Sequence, residues 1–235
     1  MDPAAQLRSS ILSQNLPPPS SDLLTTLTTS RNPPPPLPSL IATAKARLLA
    51  ADLTTTNLVD SSAVSVLPES AVQAKEVRLT RPVHVQILDI EDLSRSRWSQ
   101  AEELEAVERG ETTRGREVIR VTAAEDAENG GVSTQPGASS GGANAMHRLV
   151  LQDRAGKKMF AMELKRLPGL DLGKTGIGEK MLLKPGTVIA RGTVLLNPEH
   201  TVLLGGKIET WHKAWSEGRL SRLQAAARGG LSGTA

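Results

Sequence analysis

No cysteine and no tyrosine occur among the 235 residues, and the aromatic total is one phenylalanine and three tryptophans. Without cysteine the chain has no disulfide, no thiolate nucleophile and no cysteine-held zinc, which fits a reducing compartment. With aromatics at 2% it lacks the platforms on which single-strand binders stack bases, each worth about 1–3 kcal/mol. Phe160 is assigned to the core, and Trp98, Trp211 and Trp215 fall outside the expected strands. Long apolar runs are missing as well. No stretch approaches the roughly 20 residues of a membrane span, and MDPAAQLRSS has no signal-peptide centre, so the expectation is a soluble, intracellular protein with no membrane partner. The apolar share of 38% is low for a chain folded throughout, which predicts that part of it is loose.

Motifs for chemistry are also wanting. His84, His147, His200 and His212 show neither HxH nor i, i+4 spacing, which argues against a metal site or a histidine base. The one GxSxG spelling, GASSG at 137–141, falls in the Gly/Ser-rich tether rather than between a strand and a helix, so no serine sits in a nucleophile elbow. LPGLDLGKTG carries the second half of a phosphate loop in Gly173, Lys174 and Thr175, but Pro168 stands where the first glycine belongs. Gly176, Gly178 and Pro185 also forbid the helix that must follow. The stretch reads instead as a glycine-rich crossing between sheet edges. No catalytic residue, cofactor or metal ligand is assigned, and the chain is expected not to be an enzyme.

What is present is a series of short apolar bursts closed by turn residues. From Arg148 to Ile208, Leu149 and Leu151 alternate with Val150 and Gln152, Asp153–Gly156 makes a turn, and the period of two resumes through Met159–Leu164. Upstream, RPVHVQILDI from Arg81 reads as a first strand with Val83, Val85 and Ile87 on one face. About fifty residues, Ser94 to Met146, separate it from the second strand, far beyond an ordinary connection. SRWSQAEELEAVERG at the near end of this insertion is helix-compatible, ENGGVSTQPGASSGGANAM at the far end has a tether's composition, and Val118, Ile119 and Val121 form a brief apolar patch.

Before the strands the chain is helical. Leu7–Leu16 is stopped by Pro17–Pro19, Ser20 or Ser21 caps a second helix, and Ser39 is expected to cap a third carrying Leu40, Ile41, Ala44, Leu48 and Leu49. RNPPPPLPS is read as a stiff linker rather than a polyproline ligand. Glu209–Arg228 returns to helical spacing and is expected to cover one end of the barrel, with Trp211 and Trp215 on its apolar side.

Net charge is +3, distributed as 0 over 1–80, −5 over 81–147 and +8 over 148–235. A basic final third suits a polyanion or an acidic protein surface, and equally a solvated face. One functional alternative follows: a module that binds single-stranded or junction DNA by electrostatics through the basic C-terminal third.

Three stretches resemble a known family: VQILDIEDLSRSRWSQ (Val85–Gln100), RLVLQDRAGKKMFAMELKRLPGL (Arg148–Leu170) and GTVLLNPEHTVLLGGKIE (Gly192–Glu209). They are similar to the N-terminal region of the RecQ-mediated genome instability protein family, and the short chain is similar to the fungal type. The resemblance implies a mainly β fold with α: a five-stranded OB-fold barrel preceded by a small helical domain, with a long insertion between strands 1 and 2 and a C-terminal helix. The implied division is 1–78 helical domain and connection, 79–208 OB-fold domain with insertion loop 94–146, and 209–235 helix and tail. It also implies a nuclear, non-catalytic subunit that binds topoisomerase III, a type IA enzyme, alongside a RecQ-family helicase, and that promotes decatenation and double Holliday junction dissolution. The residues it offers for partner contact are Ser94, Trp98, Ser99, Gln100, Val118, Ile119 and Val121. A tudor-bearing scaffold family shares the barrel layout, but nothing in this chain reads as a tudor domain.

Overall fold

The computed structural model describes residues 2–30, 35–55, 57–109 and 145–229. The chain divides into two compact units, Met1–Ser94 with Ala143–Glu217, and Arg95–Gly142 with Gly218–Ala235.

The first unit begins with helices α1 (Pro3–Ser13), α2 (Ser21–Thr29) and α3 (Leu37–Ala50). Ser20 caps α2 as expected, its hydroxyl oxygen accepting from Leu23 N–H at 3.1 Å. The third helix starts three residues earlier than its sequence suggests. Pro36 is its N-cap and Ser39 lies inside the first turn, because Pro at N1/N2 presets the helical φ and gives up no needed donor. Leu7, Ile11, Leu23, Leu27, Leu40, Leu48 and Leu53 bury together as the core of this three-helix layer. Each contributes about 1.5–3 kcal/mol through removal from water.

One sheet follows, built from β1 (Val77–Arg78), β2 (Val83–Asp92), β3 (His147–Asp153), β4 (Lys158–Glu163), β5 (Lys180–Leu183), β6 (Val188–Ala190), β7 (Thr193–Leu196) and β8 (Thr201–Gly205). Its order is β1-β6-β7-β4-β3-β2-β5-β8, antiparallel except for the β4·β7 pair. Eight strand segments therefore stand where five were expected. The C-terminal half is cut into shorter pieces by the Lys184–Thr187 and Asn197–His200 turns, and a two-residue β1 pairs with β6.

Two connections show that this sheet curls. β5 and β6 lie five places apart in the order, as do β7 and β8. A flat sheet would separate them by about 24 Å at ~4.8 Å per strand. The links Lys184–Thr187 and Asn197–His200 span at most about 18 Å fully extended. Hydrogen bonds from Lys184 N–H to His200 O (2.8 Å) and from Leu79 N–H to Thr187 O (2.9 Å) fasten the turned ends. Inside sit Val83, Val85, Ile87, Ile90, Leu149, Leu151, Met159, Ala161, Met181, Leu183, Ile189 and Val194. The β4-to-β5 connection is the predicted glycine-rich crossing, and it buries Leu167, Leu170 and Ile177 against that interior.

A bulge in β2 decides which side chains face out. Ile87 pairs with Leu151 and Asp89 with Val150, so Leu88 is an extra residue. Before it the odd positions Val83, Val85 and Ile87 face inward; after it Ile90 and Asp92 do. The simple alternation expected from Arg81 thus holds only as far as Ile87.

The outer side of β2 before the bulge is covered by the helical layer through polar contacts. His84 Nε2 lies 2.9 Å from Asn15 O, and since a carbonyl only accepts, the ring donates from Nε2. Burial lowers the His84 pKa against the opposing effect of that bond, which keeps the ring neutral. Gln86 accepts from Leu53 N–H at 3.0 Å and donates to Asp52 Oδ1 at 2.6 Å and Gln152 Oε1 at 3.0 Å. Beside it Lys180 is fully buried and donates to Gly178 O at 2.5 Å. Burial pushes its pKa down to about 8, although Asp52 and Glu179 pull the other way. Helix and sheet touch closely at Gly206, where φ is +90° and a Cβ would come within 2.5 Å of Leu49 O.

Helix α5 (Glu209–Glu217) lies over the barrel core with Trp211 and Trp215 half-buried against it. Trp215 Nε1 donates to Asp89 Oδ1 at 2.6 Å, and Ile177 N–H donates to His212 Nδ1 at 3.2 Å. The single helix expected over Glu209–Arg228 is broken at Gly218, and its second half belongs to the other unit. That second unit pairs α4 (Arg97–Glu108) with α6 (Arg219–Gly229). Ser96 caps α4 by accepting from Ser99 N–H, and Gln224 Nε2 donates to Glu105 Oε1 at 2.5 Å. Among the described residues no helix is long and apolar enough to cross a membrane.

Candidate interaction face at the root of the insertion

The insertion leaves β2 and re-enters β3 on adjacent strands, and its two ends are tied at that point. Leu93 N–H donates to Met146 O at 2.8 Å, one step beyond the Asp92/His147 pair, so the ladder continues to the exit residue. Asp92, turned inward after the bulge, accepts at Oδ1 from Ser94 N–H (2.8 Å) and Ser94 Oγ (2.5 Å). The returning strand is held by a buried pair. His147 Nδ1 lies 2.7 Å from Glu163 Oε2, which also accepts from His147 N–H at 3.0 Å, while Glu163 Oε1 accepts from Leu167 N–H at 2.9 Å. Arg166 donates to Ala145 O at 3.0 Å. Burial alone would raise the Glu163 pKa, but the bonds from His147 and Leu167 outweigh it and hold the carboxyl below its ordinary value.

Above this polar clasp the surface is apolar. The β3·β4 register pairs Arg148 with Met162 and Val150 with Phe160, and one further step sets Met146 opposite Leu164. Leu164 N–H bonds Leu196 O at 2.9 Å, which carries the pattern into β7. Leu93, Met146 and Leu164 thus form a row across three strands, exposed by 42%, 45% and 58%. Behind it lie Met162 and Leu195, paired across β4 and β7, and then Val150 and Phe160, the latter 52% exposed. Four of the large exposed apolar side chains share this one face, whereas scattered single ones would need no account. The bulge is what brings Leu93 there; an unbroken alternation in β2 would have turned it inward.

The residues singled out in sequence fall in three places. Ser94 sits at the root, bound to Asp92. Trp98 and Ser99 are exposed on α4, with Trp98 Nε1 donating to Glu102 Oε1 at 2.8 Å, while Gln100 is buried and donates to Arg95 O at 3.1 Å. Val118, Ile119 and Val121 lie outside the described residues. Sequence reasoning missed Leu93, Met146 and Leu164, and it placed Phe160 inside. The signal existed in the strand from Lys158, where both parities are apolar, but period alone does not say which is the core side. Among the described residues no three metal-ligating side chains come together.

A curled OB-type barrel with an apolar outer face and a tied insertion places the chain in the OB-fold class. Residues 67–219 match the family described as "RMI1, N-terminal OB-fold domain", and residues 11–56 match "RMI1, N-terminal helical domain". The chain is 28% identical over 180 residues to RecQ-mediated genome instability protein 1 of Schizosaccharomyces pombe, covering 74% of each. The chain belongs to the RMI1 family.

Proposed function

We propose that this chain is a non-catalytic subunit of a nuclear assembly of topoisomerase III with a RecQ-family helicase, and that it binds the topoisomerase. It thereby promotes decatenation and double Holliday junction dissolution. Family membership supports the genome-stability role, and the observation that carries the binding site is the exposed row Leu93, Met146 and Leu164 at the root of the insertion. Covering half-exposed side chains of that size contributes about 1 kcal/mol each, enough to anchor a partner at the point from which the insertion projects. Ser94 at the root and Trp98 and Ser99 on α4 then contact the partner, together with Val118, Ile119 and Val121. The insertion biases the topoisomerase gate by binding its open state better than its closed state. A difference of roughly 1.4 kcal/mol shifts that ratio tenfold.

The test is co-purification with the topoisomerase III of the same organism. The wild-type chain co-elutes. Leu164→Glu weakens binding at least about 10-fold, because an unpaired carboxylate must be desolvated in an apolar contact. A chain whose insertion is replaced by a short Gly/Ser turn retains part of the binding and loses stimulation of decatenation. Full binding by Leu164→Glu refutes the assignment of this face, and absence of co-elution by the wild type refutes the function.

A further inference from the structure

At the end of the strands opposite the insertion root, turns and connections meet in one pole of the barrel. The turn into β4 and its first residue carry Arg154, Lys157 and Lys158, and the β6-to-β7 turn carries Arg191. The pairings Gln152/Lys158, Phe160/Thr193 and Ala190/Thr193 bring both turns to the same end of β3, β4, β7 and β6. Two backbone ties set the connection from the helical layer beside them. Leu67 N–H donates to Asp153 Oδ2 at 2.8 Å, and Gly192 N–H donates to Ala71 O at 2.9 Å within the 3-10 turn Glu69–Val72. Val66 and Val72 therefore stand at this pole, exposed by 48% and 54%.

The pole carries an excess of positive charge. Among the described residues none of Lys75, Arg154, Lys157, Lys158 and Arg191 has a carboxylate partner within an ion-pair distance. Arg154 Nε and Lys157 Nζ are buried with no hydrogen-bond acceptor, so part of this charge is withdrawn from water as well as unpaired. The neighbouring carboxylates are already engaged. Asp153 accepts from Leu67 N–H and Lys157 N–H, Asp60 pairs with Arg8, and Glu76 pairs with Arg78. Glu69 alone stands against the five cations.

Exposed aliphatic side chains set among unneutralised cations match a chain that alternates carboxylates with aliphatic residues. A nucleic-acid strand matches less well. Valine offers a base no stacking face, and the nearby ring of Phe160 is already covered by the Arg148 guanidinium at 5.3 Å, which Glu91 holds through an ion pair. The contact must run through side chains, because β3, β4, β6 and β7 are interior strands whose two edges are both paired.

We propose that this pole docks an acidic, aliphatic-rich peptide segment of a protein partner, its carboxylates meeting Lys158 and Arg191 and its apolar side chains covering Val66 and Val72. This lies beyond topoisomerase binding and does not depend on it. The barrel then carries two protein-binding places at opposite ends of the same strands, an apolar row at the insertion root and a basic, aliphatic pole.

The experiment is fluorescence anisotropy of a labelled peptide of four Asp-Leu-Glu repeats with the full chain, at low salt and without any other partner. The wild type binds, and its affinity falls as salt rises. A peptide of four Asn-Leu-Gln repeats does not bind. Lys158→Glu with Arg191→Glu weakens binding at least about 5-fold, since two attractions become repulsions. Val66→Ser with Val72→Ser weakens it about 5- to 10-fold, and so does replacing each leucine of the peptide by glycine. All four side chains are exposed, so an unchanged urea midpoint shows that the variants fold. No binding of the acidic peptide overturns the proposal, as does binding unaltered by the charge reversals. An oligothymidylate of equal charge that displaces the labelled peptide at a lower concentration than the unlabelled peptide does also overturns it, and gives the pole to a nucleic-acid strand.

Discussion

Replacing Lys180 with methionine tests the polar seam between the helical layer and the barrel. Lys180 is completely buried, makes one hydrogen bond to Gly178 O at 2.5 Å, and has its pKa pushed down to about 8 by burial against the pull of Asp52 and Glu179. Its unfolded value is 10.5. The folded state binds the proton less tightly, so between the two values the unfolded chain carries more protons and stability rises with pH. From pH 7 to pH 10 the Lys180 contribution grows by about 2–3 kcal/mol, at 1.36 kcal/mol per pKa unit. Asp52 does not lose its bonding when the lysine goes. Its oxygens also accept from Thr54 N–H at 2.9 Å, Thr54 Oγ at 2.7 Å and Gln86 Nε2 at 2.6 Å. Lys180→Met therefore keeps most of the side-chain volume and removes a costly buried charge without stranding a partner. Urea unfolding followed across pH 7–10 should show the wild type gaining stability relative to the variant's flat profile, with the variant the more stable near pH 7. Parallel profiles for the two proteins would refute the account.

Glu163→Gln should loosen the root of the insertion. The wild-type carboxyl titrates below its ordinary value of 4.5, so its stabilisation is complete above that pH and is lost as pH falls through the folded value. The variant should lose about 1–3 kcal/mol at neutral pH and show a flatter acid limb in urea unfolding, with faster amide exchange at His147 and Leu167. Gly206→Ala should cost about 2 kcal/mol or more, since φ is +90° and the new methyl would meet Leu49 O at 2.5 Å. A thermal midpoint equal to the wild type's would show that α3 can move away freely.

Much of the barrel can be read from residue order, because strands alternate and turns punctuate. Leu149 and Leu151 face inward as their spacing says, Ser20 caps its helix, and the chain after Ile208 covers the core with Trp211 and Trp215. What could not be read depends on contacts distant in sequence. The extra residue at Leu88 leaves no mark in composition, yet it inverts the parity of everything after it. Lys158–Leu164 is apolar on both parities, so only the finished barrel selects Met159 and Ala161 for the interior and leaves Phe160, Met162 and Leu164 outside. Lys180 looks like a surface lysine until the helical layer closes over it. The candidate site was legible as a long insertion and illegible as a face, because its rows join residues from β2, β3, β4 and β7.

The bond between Leu93 and Met146 makes the insertion a graft with a fixed socket. Whatever lies between those two residues begins and ends on neighbouring rungs of a ladder that the barrel already builds. Doubling the length of such a loop costs only about 0.6 kcal/mol of closure entropy, and the register on either side is unaffected. The barrel is therefore indifferent to the size of what it carries. A lineage can lengthen, shorten or rewrite the segment to follow changes in its partner, and an experimenter can splice a tag or a foreign loop into the same socket, with the fold as a constant in both cases.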